Sequence, residues 1–276
     1  MRKHLSYRNY SKYTVENYVK EINHLCCYFQ CSPKNISEEQ LENYLYYLAT
    51  TKHFGPNKIN LAIASFTYFY CNILRTPERV KQLRSPRIPT RVPFVLSPPQ
   101  VYQFIESLPK FRDQIIIQLL YSTGIRVGEC TVLKRQHINE ARMTIRIDRG
   151  KGKKDRYVPL SPMMLEQLEA YYKQYTPKDF IFYARNKEKP MCRATVNRII
   201  RNAKHVLNTK ETITPHTFRH SFATMLTEEG ENLFTIQKIL GHKSFYSTFR
   251  YIKAAKTELK SCVNSLDKLY ENKVVL

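Results

Sequence analysis

The sequence predicts a mainly helical chain of two domains, the second carrying a small antiparallel sheet. Apolar residues recur at helical spacing along most of the 276 residues. One stretch, Arg84 to Pro93, breaks that pattern with three prolines and three arginines, so it should be extended, stiff and basic. Strict apolar–polar alternation is confined to Met143, Ile145 and Ile147 and to a second run at Arg156–Leu160.

The elements follow in order. Val15, Tyr18, Val19, Ile22, Leu25, Cys26 and Phe29 make one helical stripe over 14–29. The next helix starts at Ser37, where Ser37 with Gln40 forms a capping box and Ile36 with Leu41 a hydrophobic staple. Pro56 suits the first turn of a third helix whose broad apolar face runs from Ile59 to Ile73. A short fourth helix is expected from Thr76 toward Leu83, which gives a first domain of 1–83, a linker of 84–96 and a second domain of 97–276.

In the second domain Ser97 and Gln100 repeat the capping-box spacing, and a helix over Ile115–Thr123 ends at Gly124. Residues 143–147 and 156–160 pair as a hairpin across a basic loop. Helices are expected at 161–174 and 193–207, with a short strand at Phe180–Phe182 between them, and again at 215–229, 232–240, 245–254 and 256–270. The chain contains no internal repeat and no low-complexity tract.

Lys and Arg number 45 against 23 Asp and Glu, a formal charge of +22. Such an excess implies a polyanionic partner, with nucleic acid ahead of a membrane surface because a phosphate ladder rewards many cationic contacts. No apolar run approaches the roughly 20 residues a spanning helix needs, and Met1-Arg2-Lys3-His4 leads into polar sequence. A soluble, cytoplasmic, nucleoid-associated protein is expected. The seven scattered cysteines read as reduced core residues, and His24, Cys26 and Cys31 lack the paired spacing of a zinc site. With no Walker-type loop or acidic cluster, neither metal nor cofactor is expected.

Several motifs carry chemistry. Ser122-Thr-Gly-Ile-Arg-Val-Gly-Glu129 ends one helix and sets Arg126 at the start of the next, where a planar fork and helix amides can face the same phosphate. Gly150-Lys-Gly-Lys-Lys-Asp155 presents Lys151 at a loop tip between glycines. Thr214-Pro-His-Thr-Phe-Arg-His220 is a helix start that places His216 and Arg219 on one face. Gly241 stops a further helix just before His242, and Tyr251 follows nine residues later. Singly, each has an ordinary structural explanation: a solvated arginine, a polar turn, a packed tyrosine among 20.

Together, in this order and spacing, Gly-Ile-Arg126-Val-Gly-Glu, Gly-Lys151-Gly, Pro-His216-Thr-Phe-Arg219-His-Ser-Phe-Ala-Thr, Leu-Gly-His242-Lys-Ser and Tyr251 resemble the tyrosine recombinases of the phage-integrase family, particularly the short Xer-type and integron-integrase-like members. The resemblance implies a helical, SAM-like core-binding domain at 1–83 and an α-rich catalytic domain at 97–276 that clamp duplex DNA. It implies that Arg126 and Arg219 hold the scissile phosphate, Lys151 protonates the leaving 5′-oxygen, His216 assists proton transfer at the tyrosine and His242 bonds the phosphate. Tyr251 would attack to form a 3′-phosphotyrosyl link, without metal or cofactor, and Glu129 would support the fold around Arg126. It further implies that the helix at 193–207 enters the major groove, with Asn197, Arg198, Arg201 and Lys204 opposite an apolar stripe of Val196, Ile199, Ile200, Ala203 and Val206. Four protomers would meet on paired half-sites, the free protein being a monomer, with a tail stripe of Ala254, Leu259, Cys262, Val263, Leu266, Leu269 and Tyr270 as connector.

Two departures qualify the likeness: no separate arm-binding domain stands before residue 10, and Tyr251 is followed by Ile-Lys-Ala rather than the Thr-His common in the Xer group. A type IB topoisomerase-like relaxing enzyme and a non-catalytic DNA-binding protein of the same fold are the alternatives. The residue types suit the chemistry in their own right, since a phenol of pKa about 10 needs cationic phosphate clamping and a base to attack at neutral pH.

Overall fold

The computed structural model describes residues 1–88, 93–148, 155–242 and 244–254, except the side chains of Arg250, Ile252, Lys253 and Ala254. Lys151 with its loop, part of the expected linker, and the expected helix at 256–270 with its apolar stripe lie outside the described residues. The chain divides into two compact units, Met1–Arg91 and Val92–Leu276.

In the first unit, helix α1 (Arg2–Tyr7) is a turn and a half that is too short to show a period in sequence. Leu5 anchors it by packing with Val15 and Tyr68, and His4 Nδ1 meets the Tyr68 hydroxyl at 2.7 Å. Helix α2 (Lys12–Phe29) starts two residues before its stripe because the Ser11 hydroxyl accepts the Thr14 N–H at 3.1 Å. At the start of α3 (Glu38–Thr50) the capping box is complete: Gln40 N–H donates to Ser37 Oγ at 3.2 Å and Ser37 N–H to Gln40 Oε1 at 2.8 Å. Helix α4 (Pro56–Phe69) runs on into a wider π turn at Tyr70–Leu74. Leu25, Leu41, Ala62, Phe66 and Tyr70 fill the core between these helices. The fourth helix expected at Thr76–Leu83 is only a 3₁₀ turn at Pro77–Val80. Its segment is tied elsewhere, the Arg79 guanidinium donating to the carbonyls of Lys34 and Ile36 at 2.7 and 2.8 Å.

The second unit is built around α6 (Phe111–Thr123). Its Ile115, Ile116, Ile117, Leu119 and Leu120 are all buried, so it is apolar all round and lies inside the domain rather than on it. Helices α5 (Pro98–Glu106), α8 (Pro162–Tyr175), α9 (Arg193–Val206) and α10 (Pro215–Glu228) pack against it. A three-stranded antiparallel sheet joins β1 (Ile138–Asn139), β2 (Thr144–Ile147) and β3 (Arg156–Pro159), with Ile145 opposite Ile138 and Val158. Its small first strand is too short for sequence alternation to reveal. The strand expected at Phe180–Phe182 is reduced to isolated bridges, Lys134 with Phe180 and Tyr183 with Pro190, because both Ile181 and Phe182 are fully buried and tie loop to core. One-turn helix α7 (Val127–Cys130), α11 (Leu233–Leu240) and α12 (Tyr246–Ala254) complete the described unit.

Gly124 caps α6 and Gly241 caps α11, both in the left-handed region at φ 61° and 63°. A Cβ on Gly124 would also lie 2.4 Å from Phe222, and one on Gly241 2.9 Å from the Arg156 side chain. Both helix ends are therefore closed by packing as well as by backbone conformation.

The cysteines correct their expected burial. Among the described ones Cys130 alone is buried, Cys27 and Cys192 are exposed, and all are free thiols. Helical spacing places a residue on a stripe without saying how far that stripe is covered. No described helix is long and apolar enough to cross a membrane, and no described group of His, Cys, Asp or Glu could hold a metal ion.

Candidate active site

Three ends of structure meet beside α10: the C-terminus of α6 at Gly124, the start of α7 at Arg126, and the C-terminus of α11 at Leu240–Gly241. Arg219, projecting from α10 and only 3% exposed, donates to the carbonyls of Gly124 and Leu240, each at 2.6 Å. Arg126 donates to the next carbonyl, Gly241, at 3.1 Å. These are the carbonyls a helix end leaves unpaired, so each arginine satisfies a helix terminus and is held in one orientation by it. Burial and the charge of Arg126 bring the Arg219 guanidinium down to about 10, so it remains a cation at neutral pH.

One carboxylate organises the arginines. Glu129 accepts the Arg126 main-chain N–H at 2.7 Å and its guanidinium at 2.9 Å, and it takes both ends of Arg156 at 2.8 Å. Arg156, from β3, also donates through Nε to the Ile239 carbonyl at 2.7 Å. Sheet, α7 and α11 are thereby fastened to one another. Burial alone would raise the Glu129 carboxyl, but the hydrogen bonds and charge of Arg156, with those of Arg126, hold it at about 2.

A folded pKa depressed from 4.5 to about 2 corresponds to roughly 3 kcal/mol of stability, present above about pH 5 and lost as pH falls through the carboxyl's range. Glu129→Gln should remove this part of the pH dependence and cost about 3–5 kcal/mol at neutral pH, because Arg156 is left buried without its counter-charge. Urea unfolding at about pH 7 and about pH 3 measures both. A Gln variant that keeps the wild-type loss of stability in acid would move the effect to another carboxylate.

Tyr251 projects from α12 into a small cluster with Phe222, Ala223, Ile236 and Leu240 and is fully buried. Its hydroxyl lies 3.1 Å from Nδ1 of His220 on α10. The His242 ring stacks on Tyr251 at 6.1 Å between centroids and 16° between planes. His242 is fixed in turn by Thr248, also on α12, whose hydroxyl meets its Nδ1 at 2.9 Å. His216 is exposed at the first turn of α10, and its ring is 6.2 Å from that of His220. Partial desolvation, then the charges of Arg219 and Arg126, push its imidazole below the ordinary value and favour the neutral form.

Arg126, Arg219, His242 and Tyr251 thus share one site, with His216 at its edge. Sequence reasoning gave His220 and Arg156 no role. His220 carries a signal in hindsight, standing one turn after His216 and next to Arg219, whereas Arg156 sits in a strand where nothing local marks it.

The residues singled out on α9 divide. Asn197, Arg201 and Lys204 line one groove with Thr214 and Pro215 at the start of α10, while Arg198 lines a separate hollow with Lys110 and Asp113. Helical geometry explains this, since 197, 201 and 204 are one face and 198 is 100° away. Val206, expected in the apolar stripe, is 66% exposed because it is the last residue of the helix.

An arginine pair held rigid beside a sequestered tyrosine is an arrangement suited to an anion such as a phosphate. Residues 95–258 match the phage integrase family, and residues 1–78 match the phage integrase N-terminal SAM-like domain. The chain is 34% identical to tyrosine recombinase XerA of Pyrococcus furiosus over 80% of this chain and 78% of the relative. It is 31% identical to a tyrosine recombinase of Pseudothermotoga lettingae, covering 94% and 93%. Its fold matches the crystal structure of a lambda integrase dimer bound to a COC′ core site, with a TM-score of 0.77 and 17% identity over 96% of both chains. The chain belongs to the phage integrase family and is a tyrosine-type site-specific recombinase.

Proposed function

We propose that this chain cleaves and rejoins duplex DNA at a specific site by transesterification through Tyr251, with Arg126 and Arg219 holding the scissile phosphate. The carrying observation is that the two guanidiniums are pinned to the adjacent carbonyls of Gly241 and Leu240, on the same turn that leads into His242. Two guanidiniums, those of Arg126 and Arg156, share the carboxylate of Glu129, and a third, that of Arg219, is bound to the carbonyls of Gly124 and Leu240, so the site carries an excess of fixed positive charge suited to an anion. Lys151 protonates the leaving 5′-oxygen, His216 serves proton transfer at the mouth of the site, and His242 bonds the phosphate. No step calls for a metal or a cofactor. Covalent capture of a nicked duplex tests the whole scheme.

Residues 1–83 act as the core-binding domain, 84–96 as the basic linker and 97–276 as the catalytic domain. The DNA is read through α9. Arg201, in the groove lined by Thr214 and Pro215 at the start of α10, should matter more than Arg198: Arg201→Ala is expected to cost about 1–3 kcal/mol and relax base preference, whereas Arg198→Ala should weaken all sequences alike. Affinity selection from a random duplex pool measures both; if neither variant changes affinity or preference, both positions are merely solvated.

The lambda integrase neighbour is a dimer on its core site, which supports duplex DNA as partner and assembly upon it. With +22 of charge per chain, free protomers repel one another and DNA screens that repulsion. A monomer in solution and a tetramer on paired half-sites follow. The relaxing-enzyme and non-catalytic alternatives have no observation in their favour.

A further inference from the structure

Resting on Tyr251 as the nucleophile, we infer that His220 is the group that engages its hydroxyl and takes its proton, a role that the family resemblance gives to His216. His220 Nδ1 is 3.1 Å from Tyr251 Oη, within the reach a general base requires, and the two rings are 5.7 Å apart. His216 stands one turn earlier on α10, exposed, with its ring 6.2 Å from that of His220. The phenol is fully buried, with His242 stacked on its face and an apolar cluster around it. A phenolate formed there has lost water as a proton acceptor, so a protein acceptor in contact with the oxygen is what makes ionisation feasible. Both members of the pair are set by helices that pack on each other, α10 and α12, so the contact belongs to the domain core and not to a surface rotamer.

Oη forms a bond to phosphorus with its lone pair, and its proton passes to His220 Nδ1 to give an imidazolium. The bond from phosphorus to the 5′-oxygen breaks, and that oxygen leaves with the electron pair and is protonated by Lys151. In rejoining, a 5′-hydroxyl passes its proton to the neutral Lys151 amine left by cleavage and attacks phosphorus, and the imidazolium returns its proton to the departing Oη. The ring must begin neutral, with its own proton on Nε2 and the phenol O–H donating to Nδ1. His216 is left on the solvent side, one turn from His220.

The probe is a nicked duplex enriched from a random-sequence pool by covalent capture with the wild-type chain. His220→Gln keeps a polar group near the hydroxyl but cannot accept a proton. It should bind the duplex with unchanged affinity and cleave it about a hundredfold or more slowly. A duplex whose scissile 5′-oxygen is replaced by sulfur needs no protonation of its leaving group. That duplex should rescue Lys151→Ala and leave His220→Gln slow. Rescue of His220→Gln by sulfur would place His220 at the leaving group and overturn the inference, as would a wild-type cleavage rate in His220→Gln while Tyr251→Phe is inactive. A wild-type chain that captures nothing, or a Tyr251→Phe chain that still forms the adduct, instead undoes the function on which the inference rests. The wild-type protein supplies a check that no folding defect can confuse: ¹⁵N spectra of labelled histidine should show neutral His220 protonated on Nε2, and protonation on Nδ1 instead would overturn the assignment.

Discussion

Tyr251→Phe is expected to bind duplex DNA like the wild type and to form no covalent adduct with it. The substitution removes one oxygen and leaves the ring, which is the part that packs: Phe222, Ile236 and Leu240 surround it and His242 stacks on it. The fold should hold, at the cost of one hydrogen bond to His220, or about 1 kcal/mol. The loss of chemistry should be complete, since a phenyl ring has no nucleophilic atom and neither arginine can substitute for it. Denaturing gels of protein incubated with a nicked duplex report the adduct directly. If the Phe variant is still captured, the nucleophile is another residue, and Tyr246, 68% exposed on the same helix, is the first to test.

Arg219→Lys should retain charge and lose most cleavage. The Arg219 fork reaches two carbonyls 2.6 Å away at the ends of two different helices while its charge faces the site. A lysine brings one point of charge and cannot bridge both termini in the same geometry. One carbonyl is left short of its donor, and the phosphate loses a planar partner fixed in place before it arrives. Removing one preorganised donor of this kind costs about 10²–10³ in rate, or roughly 3–4 kcal/mol. Binding should change far less, because many lysines and arginines elsewhere in a chain of +22 charge still contact the backbone. Single-turnover cleavage and filter binding on the same duplex separate the two effects. Equal losses in both would make Arg219 a general phosphate contact with no special part in the chemistry, and a chain that unfolds at lower urea by the full amount would make it structural.

How legible the molecule is in its sequence differs from element to element. The Ser37–Gln40 capping box is a short-range pattern that names its own hydrogen bonds, and both are present. The amphipathic helices and the hairpin of β2 and β3 are equally local, their periods being set by backbone geometry alone. Helix α1 and strand β1 are too short to carry a period, and each is held by contacts distant in sequence, Leu5 with Tyr68 and Ile138 with Ile145. The expected helix at Thr76–Leu83 failed for the converse reason: Arg79 finds better partners in Lys34 and Ile36 than a helix would offer the segment.

By itself the sequence determined the helical class of the protein and the positive charge that selects an anionic partner; Arg126, Arg219 and His242 follow helix starts or stops marked by glycine or proline, while Tyr251, inside α12, stood out only through its order and spacing in the family resemblance. Only the tertiary structure decided what those residues touch. Glu129 joins Arg126 three residues away to Arg156 twenty-seven away, and His220 meets Tyr251 across thirty-one residues. Such pairings depend on how α7, α10, α11, α12 and β3 pack, and packing is fixed by side-chain shape summed over the whole core, which no local spacing encodes.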